Sequence, residues 1–167
     1  LGTLYATGKD IKRDYKLAMQ WFRRASDQEL AIAQHSVGDL YFRGWGVRQD
    51  YTKALHWYGK AADQRFPESQ NSVGLIYEHG LGVPRDRSKA LIWFTRSAEQ
   101  GLAGAQANLG ALYYDPEAPG HDPEKARIWF ESAAEQGFAP AMTNLGHLYS
   151  KGAGISADLA KALHWYR

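Results

Sequence analysis

Apolar residues recur along this chain at helical spacing, in blocks separated by short glycine- or proline-containing loops. In residues 31–43, AIAQHSVGDLYFR, Ala33, Val37, Leu40 and Tyr41 fall on one face of a helix. The following GWGVRQD places two glycines within three positions, which permits φ > 0 and ends that helix. Asp50 then offers a carboxylate to the free N–H groups that open a second helix. Over 51–64, YTKALHWYGKAADQ, the residues Ala54, Trp57, Tyr58, Ala61 and Ala62 follow the i, i+3, i+4, i+7, i+8 pattern and predict its buried face. The unit is a helix A, a loop and a helix B.

This unit returns every 36 residues. The columns are Gly2, Gly38, Gly74, Gly110 and Gly146; Tyr5, Tyr41, Tyr77, Tyr113 and Tyr149; Asp14, Asp50, Asp86, Asp122 and Asp158; Ala18, Ala54, Ala90, Ala126 and Ala162; and Trp21, Trp57, Trp93, Trp129 and Trp165. Complete units span 31–66, 67–102 and 103–138, with partial units at 1–30 and 139–167. A helix pair by itself buries too little apolar surface to offset the entropy of ordering it, so neighbouring pairs must cover one another. The expected fold is all-α, an α-solenoid of antiparallel helix pairs in a single repeat domain. Both ends fall inside a repeat and the first residue is Leu1, so the chain is expected to belong to a longer protein.

Glycine inside helix A costs about 1 kcal/mol against alanine. Its return at one position predicts close approach of helices A and B, with the helix B tryptophan lying near it.

These residues resemble the Sel-one-like repeat family, relatives of the tetratricopeptide repeats. The residues carrying the likeness are Ala31-Ile32-Ala33, Val37-Gly38, Tyr41, Gly44-Trp45-Gly46-Val47, Asp50, Lys53-Ala54, Trp57-Tyr58 and Ala61-Ala62, and the 67–102 unit repeats them from Gly74 to Trp93-Phe94. The resemblance implies a right-handed superhelix and an adaptor or scaffold role, in a bacterial envelope or a eukaryotic adaptor complex; the sequence leaves the compartment open. It also implies the alternative of a penicillin-type ligand binder or hydrolase, known in a cysteine-rich subset of the family; this chain has no cysteine. A structural spacer is the third alternative. Two departures stand out. Pro116-Glu117-Ala118-Pro119 replaces the glycine loop of the fourth unit, so helix A should end near Tyr114, and Asp10 replaces the second loop glycine of the first, where aspartate tolerates a left-handed conformation and a small adjustment is expected.

A formal net charge of +2 gives no case for nucleic acid, and no apolar run approaches the roughly 18–20 residues of a membrane span. The Gly-x-Gly pairs are turn glycines, because neither phosphate-binding fingerprint accompanies them. His35, His56, His79, His121, His147 and His164 are scattered, and surface positions suit them better than a metal site. No serine precedes a lysine by three residues, which removes the usual β-lactamase nucleophile. No catalytic residue, metal site or cofactor is predicted, and the chain is read as a non-enzyme.

The predicted function is to hold a protein or peptide on the concave face lined by helix A. Its varying positions are the candidate contacts: His35, Asp39, Phe42 and Arg43; Asn71, Leu75, Glu78 and His79; Tyr114; and His147. Ile32, Glu68, Gly104, Ala107, Ala111 and Asp115 share that register, and the small ones should leave room beside Tyr114. The bland alternative is an ordinary solvated face. Trp45, outside the tryptophan column, either anchors a partner or covers its own loop. Residues 1–66 hold 11 basic and 7 acidic side chains, and residues 103–138 hold 2 and 6. That contrast could orient a partner or favour head-to-tail self-association.

Overall fold

The computed structural model describes residues 1–152 and 154–167. Among them are ten helices in two compact units. The first unit, 1–86, holds α1 (Gly2–Thr7), α2 (Tyr15–Ser26), α3 (Ala31–Arg43), α4 (Tyr51–Asp63) and α5 (Pro67–His79). The second, 87–167, holds α6 (Arg87–Ala98), α7 (Ala103–Tyr114), α8 (Pro123–Ala134), α9 (Ala139–Lys151) and α10 (Leu159–Tyr166).

Antiparallel pairing shows in the hydrogen bonds at the two ends of α3 and α4. Gln64 donates to Gln34 at 2.8 Å at one end, and the Asp50 N–H reaches the Tyr41 carbonyl at 3.0 Å at the other. The second bond recurs in every repeat: Asp14 to Tyr5, Asp86 to Tyr77, Asp122 to Tyr113 and Asp158 to Tyr149, all at 2.9–3.0 Å. The aspartate thus closes the loop with its N–H while its carboxylate caps helix B, accepting from Lys53 at 2.9 Å, Lys125 at 3.0 Å and Lys161 at 2.9 Å. These lysines fold back over the tyrosine rings, with ammonium-to-centroid distances of 5.6, 5.5 and 5.1 Å. One loop therefore uses the tyrosine, aspartate and lysine columns together.

The helix A glycine does mark a close approach, but to a different ring. A Cβ on Gly38 would lie 2.6 Å from the Tyr58 ring, and one on Gly110 would lie 2.7 Å from Phe130. Gly2 faces Phe22 and Gly146 faces Tyr166 in the same way. Each is the residue after the tryptophan, about 100° further round helix B. Tyr58 and Phe130 are buried, whereas Trp57 and Trp129 are only half-buried. The tryptophan column flanks the core instead of filling it, and Arg24 and Lys60 lie over the Trp21 and Trp57 rings at 5.2 and 4.8 Å.

Adjacent repeats are joined through the ends of their helices. The Gln70 side chain donates to the Ala62 carbonyl at 3.2 Å and Gln106 to Ala98 at 3.3 Å, satisfying a carbonyl at the end of the preceding helix B. In the first unit each loop also settles onto the preceding helix B: a Cβ on Gly46 would come within 2.7 Å of the Tyr15 backbone, and one on Gly82 within 2.9 Å of Tyr51 Cβ. Both glycines have positive φ, so contact and conformation exclude a side chain together. Asp10 adopts φ 63°, the left-handed conformation that aspartate tolerates, in place of the glycine.

Candidate functional site

On α3 the expected contact residues are tied to one another. Tyr58 donates to Asp39 at 2.6 Å, and His35 Nδ1 lies 2.8 Å from Ser69 Oγ on α5. The His35 ring also meets Tyr58 and Phe66, at centroid distances of 5.2 and 5.3 Å. Burial lowers the pKa of His35, with Asp39 and then Glu68 opposing it. Burial next to the Asp39 carboxylate raises that of Tyr58, which therefore stays a hydrogen-bond donor. His35 is thus a junction residue between α3, α4 and α5, not the surface histidine its spacing suggested. Phe42 packs edge-on against Tyr51 at 5.3 Å, while Ile32 stands 57% exposed.

Arg43 lies over the Trp45 ring at 4.7 Å, and that indole also stacks on Tyr15 at 4.9 Å and 20°. Trp45 is tucked against the previous repeat yet remains 40% exposed. On α5, Asn71 and Leu75 are half-buried and His79 is exposed. Glu78 pairs with Arg85 at 3.0 Å.

The second unit is built differently. Ala107 faces inward into the cluster around Phe130 and Leu145, so it is core and not readout. Ala111 is exposed and Tyr114 half-buried. With Asp115, Pro116, His121, Pro123 and Gly154 they line an open, mainly apolar cleft of about 550 Å³. The fourth-repeat loop makes this cleft. α7 ends at Tyr114, and Asp115 leaves the helix in an extended conformation. Its Oδ1 accepts from the Glu117 N–H at 2.9 Å, while Oδ2 accepts from Arg87 on α6. Arg87 stands where Tyr15 and Tyr51 stand in earlier repeats, and Ala118 where Gly46 and Gly82 stand. The loop glycine that closes on the preceding helix B in the second and third repeats is thus absent here, and the loop is tied to that helix through the Arg87–Asp115 pair. His147 lies on α9, exposed, with its ring edge-on to Tyr166 at 5.7 Å. The structure gathers His35, Asp39 and Phe42 around Tyr58, and it places Tyr114 at the cleft.

Paired helices that return every 36 residues on one plan of loop closure define a repeat protein of the solenoid class. The Sel1 repeat family model matches residues 1–30, 31–66, 67–102, 103–138 and 139–167, and the chain belongs to the Sel1 repeat family. Its fold is similar to that of a protective antigen from uropathogenic Escherichia coli strains with an SLR fold (38% identity, TM-score 0.93), covering 100% of this chain and 36% of that one. A Sel1 repeat protein from Oxalobacter formigenes aligns at 33% identity and TM-score 0.90, over 99% of this chain and 66% of that one. An immunity protein from Pseudomonas aeruginosa aligns at 26% identity and TM-score 0.62, over 94% of this chain and 57% of that one. This chain therefore spans about a third to two thirds of these relatives. No curated protein matches it significantly. The all-α solenoid class read from the sequence is the one found. Sel1 repeat proteins generally serve as protein-interaction scaffolds, and their fold is generally non-enzymatic. Among the described residues no helix is long and apolar enough to cross a membrane.

Proposed function

We propose that this chain is an interaction scaffold whose helix A residues hold an extended peptide or a partner helix. The observation that carries this reading is the apolar cleft of about 550 Å³ beside Tyr114, one of the helix A positions that the sequence offers as a candidate contact. The residues that build the repeat are consumed by it: tyrosine, aspartate, lysine and glutamine hold one another. What varies between repeats is the outward register of helix A, where a partner can be read without disturbing the frame. Phe42, Arg43, Leu75, His79 and His147 offer further contacts in that register, and Trp45 presents its exposed edge beside it.

The test is site-specific photocrosslinking in cells, with benzoylphenylalanine placed at Ala111 or Phe42 on helix A and at Lys60 on helix B. Discrete protein adducts from the helix A positions, absent from Lys60, are expected. Equal labelling from Lys60 overturns the reading.

A further inference from the structure

We infer that the cleft beside Tyr114 accepts a peptide segment with one large apolar side chain flanked by lysine or arginine; this rests on the scaffold reading and specifies its partner. The cleft walls are Ala111, the Tyr114 ring, Pro116 and Pro123, and its lining is mostly apolar. Such a surface takes an aliphatic or aromatic side chain and gains by removing it from water.

The charge around it has one sign in excess. The 103–138 repeat carries 6 acidic and 2 basic side chains. Both of its basic groups are engaged within the repeat: Lys125 with Asp122 at 3.3 Å, and Arg127 with Glu124 at 2.9 Å and Glu131 at 2.7 Å. Asp115 in the cleft wall is paired with Arg87 from the repeat before. Glu117 follows Pro116 in that wall and is exposed. Its backbone N–H is held by Asp115, which fixes the backbone from which this side chain projects. A cationic side chain next to the apolar anchor therefore meets the net negative charge of this repeat, with the exposed Glu117 next to the cleft wall, and an anionic one is repelled.

The experiment uses the full ¹⁵N-labelled chain at low ionic strength and two blocked peptides, acetyl-GKKFKKG-amide and acetyl-GEEFEEG-amide. The lysine peptide should shift the amides of Ala111, Tyr114 and Gly154 saturably, and bind about tenfold tighter than the glutamate peptide. Glu117→Lys should weaken it about fivefold. Ala111→Gln, which fills an exposed site on the cleft wall, should abolish the shifts while leaving the rest of the spectrum unchanged. Equal binding of the glutamate peptide, shifts insensitive to Ala111→Gln, or silence from both peptides overturns the partner rule. If Ala111 still crosslinks to protein in cells, the scaffold reading survives that failure. Concentration-dependent shifts at the same amides without peptide would assign the cleft to a second copy of the chain and also overturn the rule.

Discussion

The second and fourth repeats share a backbone plan and differ in what they do with the outward side of helix A. On α3, His35, Asp39 and Phe42 are bound to Tyr58, Ser69 and Tyr51, so the surface is knotted into the junction beneath it. On α7 the register is alanine and glycine up to Tyr114, and the loop beyond it turns away to leave a cleft. The frame bonds are the same in both: Asp50 to Tyr41 and Asp122 to Tyr113, Gln64 to Gln34 and Gln136 to Gln106. The frame is therefore indifferent to what helix A displays: one repeat ties these side chains into its own junction, while the other leaves an open cleft.

The largest expected effect sharpens the part the two repeats share. Gly110→Ala puts a methyl 2.7 Å from the Phe130 ring, which is 1% exposed and has nowhere to move. It should cost about 1–3 kcal/mol despite better helix propensity, a fall of roughly 3–10 °C in melting temperature. Gly59 lies inside α4 with nothing within 4 Å of its missing Cβ. Gly59→Ala should raise stability by about 0.5–1 kcal/mol. Calorimetry on the pair decides it. Equal shifts of one sign would mean the columnar glycine is not there for contact.

Much of this frame is legible in the sequence, because columns that serve one loop must keep one period. Tyrosine, aspartate and the loop glycines were all visible that way. The partner of the helix A glycine was misplaced by one residue: Trp57 and Tyr58 are both aromatic and adjacent, so periodicity cannot tell which ring faces inward. Gln34, Gln70 and Gln106 repeat at the same interval, a signal that was present, but a buried glutamine looks like a surface one until its carbonyl partner is seen. The candidate site was less legible. Ala107 lies in the same register as Ala111 but turns into the core, and the burial of His35 depends on Phe66 at the end of its own repeat and on Ser69 from the next.

A smaller effect should come from the contact that sets the fourth repeat apart. Arg87 and Asp115 are 19% and 32% exposed, so their attraction is only partly screened. A double-mutant cycle with Arg87→Ala and Asp115→Ala should return a coupling of about 1 kcal/mol. Asp115→Ala should also loosen the loop, read as faster amide exchange at Glu117 and Ala118. Zero coupling would mean that the loop, with its prolines, holds its shape without the pair.

The smallest effect separates the two repeats by pH. His35 has a lowered pKa in the folded chain because burial disfavours its cation, so the unfolded chain takes the proton first. Above about pH 6.5, the ordinary histidine value, neither state is protonated and stability is level. As the pH falls below that, the unfolded state binds more protons and stability declines until the folded-state pKa is passed. The groups facing the ring are Asp39 on its own helix, Tyr58 on α4, and Glu68 and Ser69 on α5. The two carboxylates favour the cation and limit the loss, which is why this effect ranks last. The fourth repeat has Ala107 at the equivalent place and so has no histidine at this junction. Hydrogen exchange at pH 7.5 and 5.5, corrected for intrinsic rates, should show protection falling in α3 to α5 more than in α7 to α9, and His35→Gln should remove the difference. A uniform loss across both units, unchanged by that substitution, would place the titrating group elsewhere and leave the two repeats distinguished by their surfaces alone.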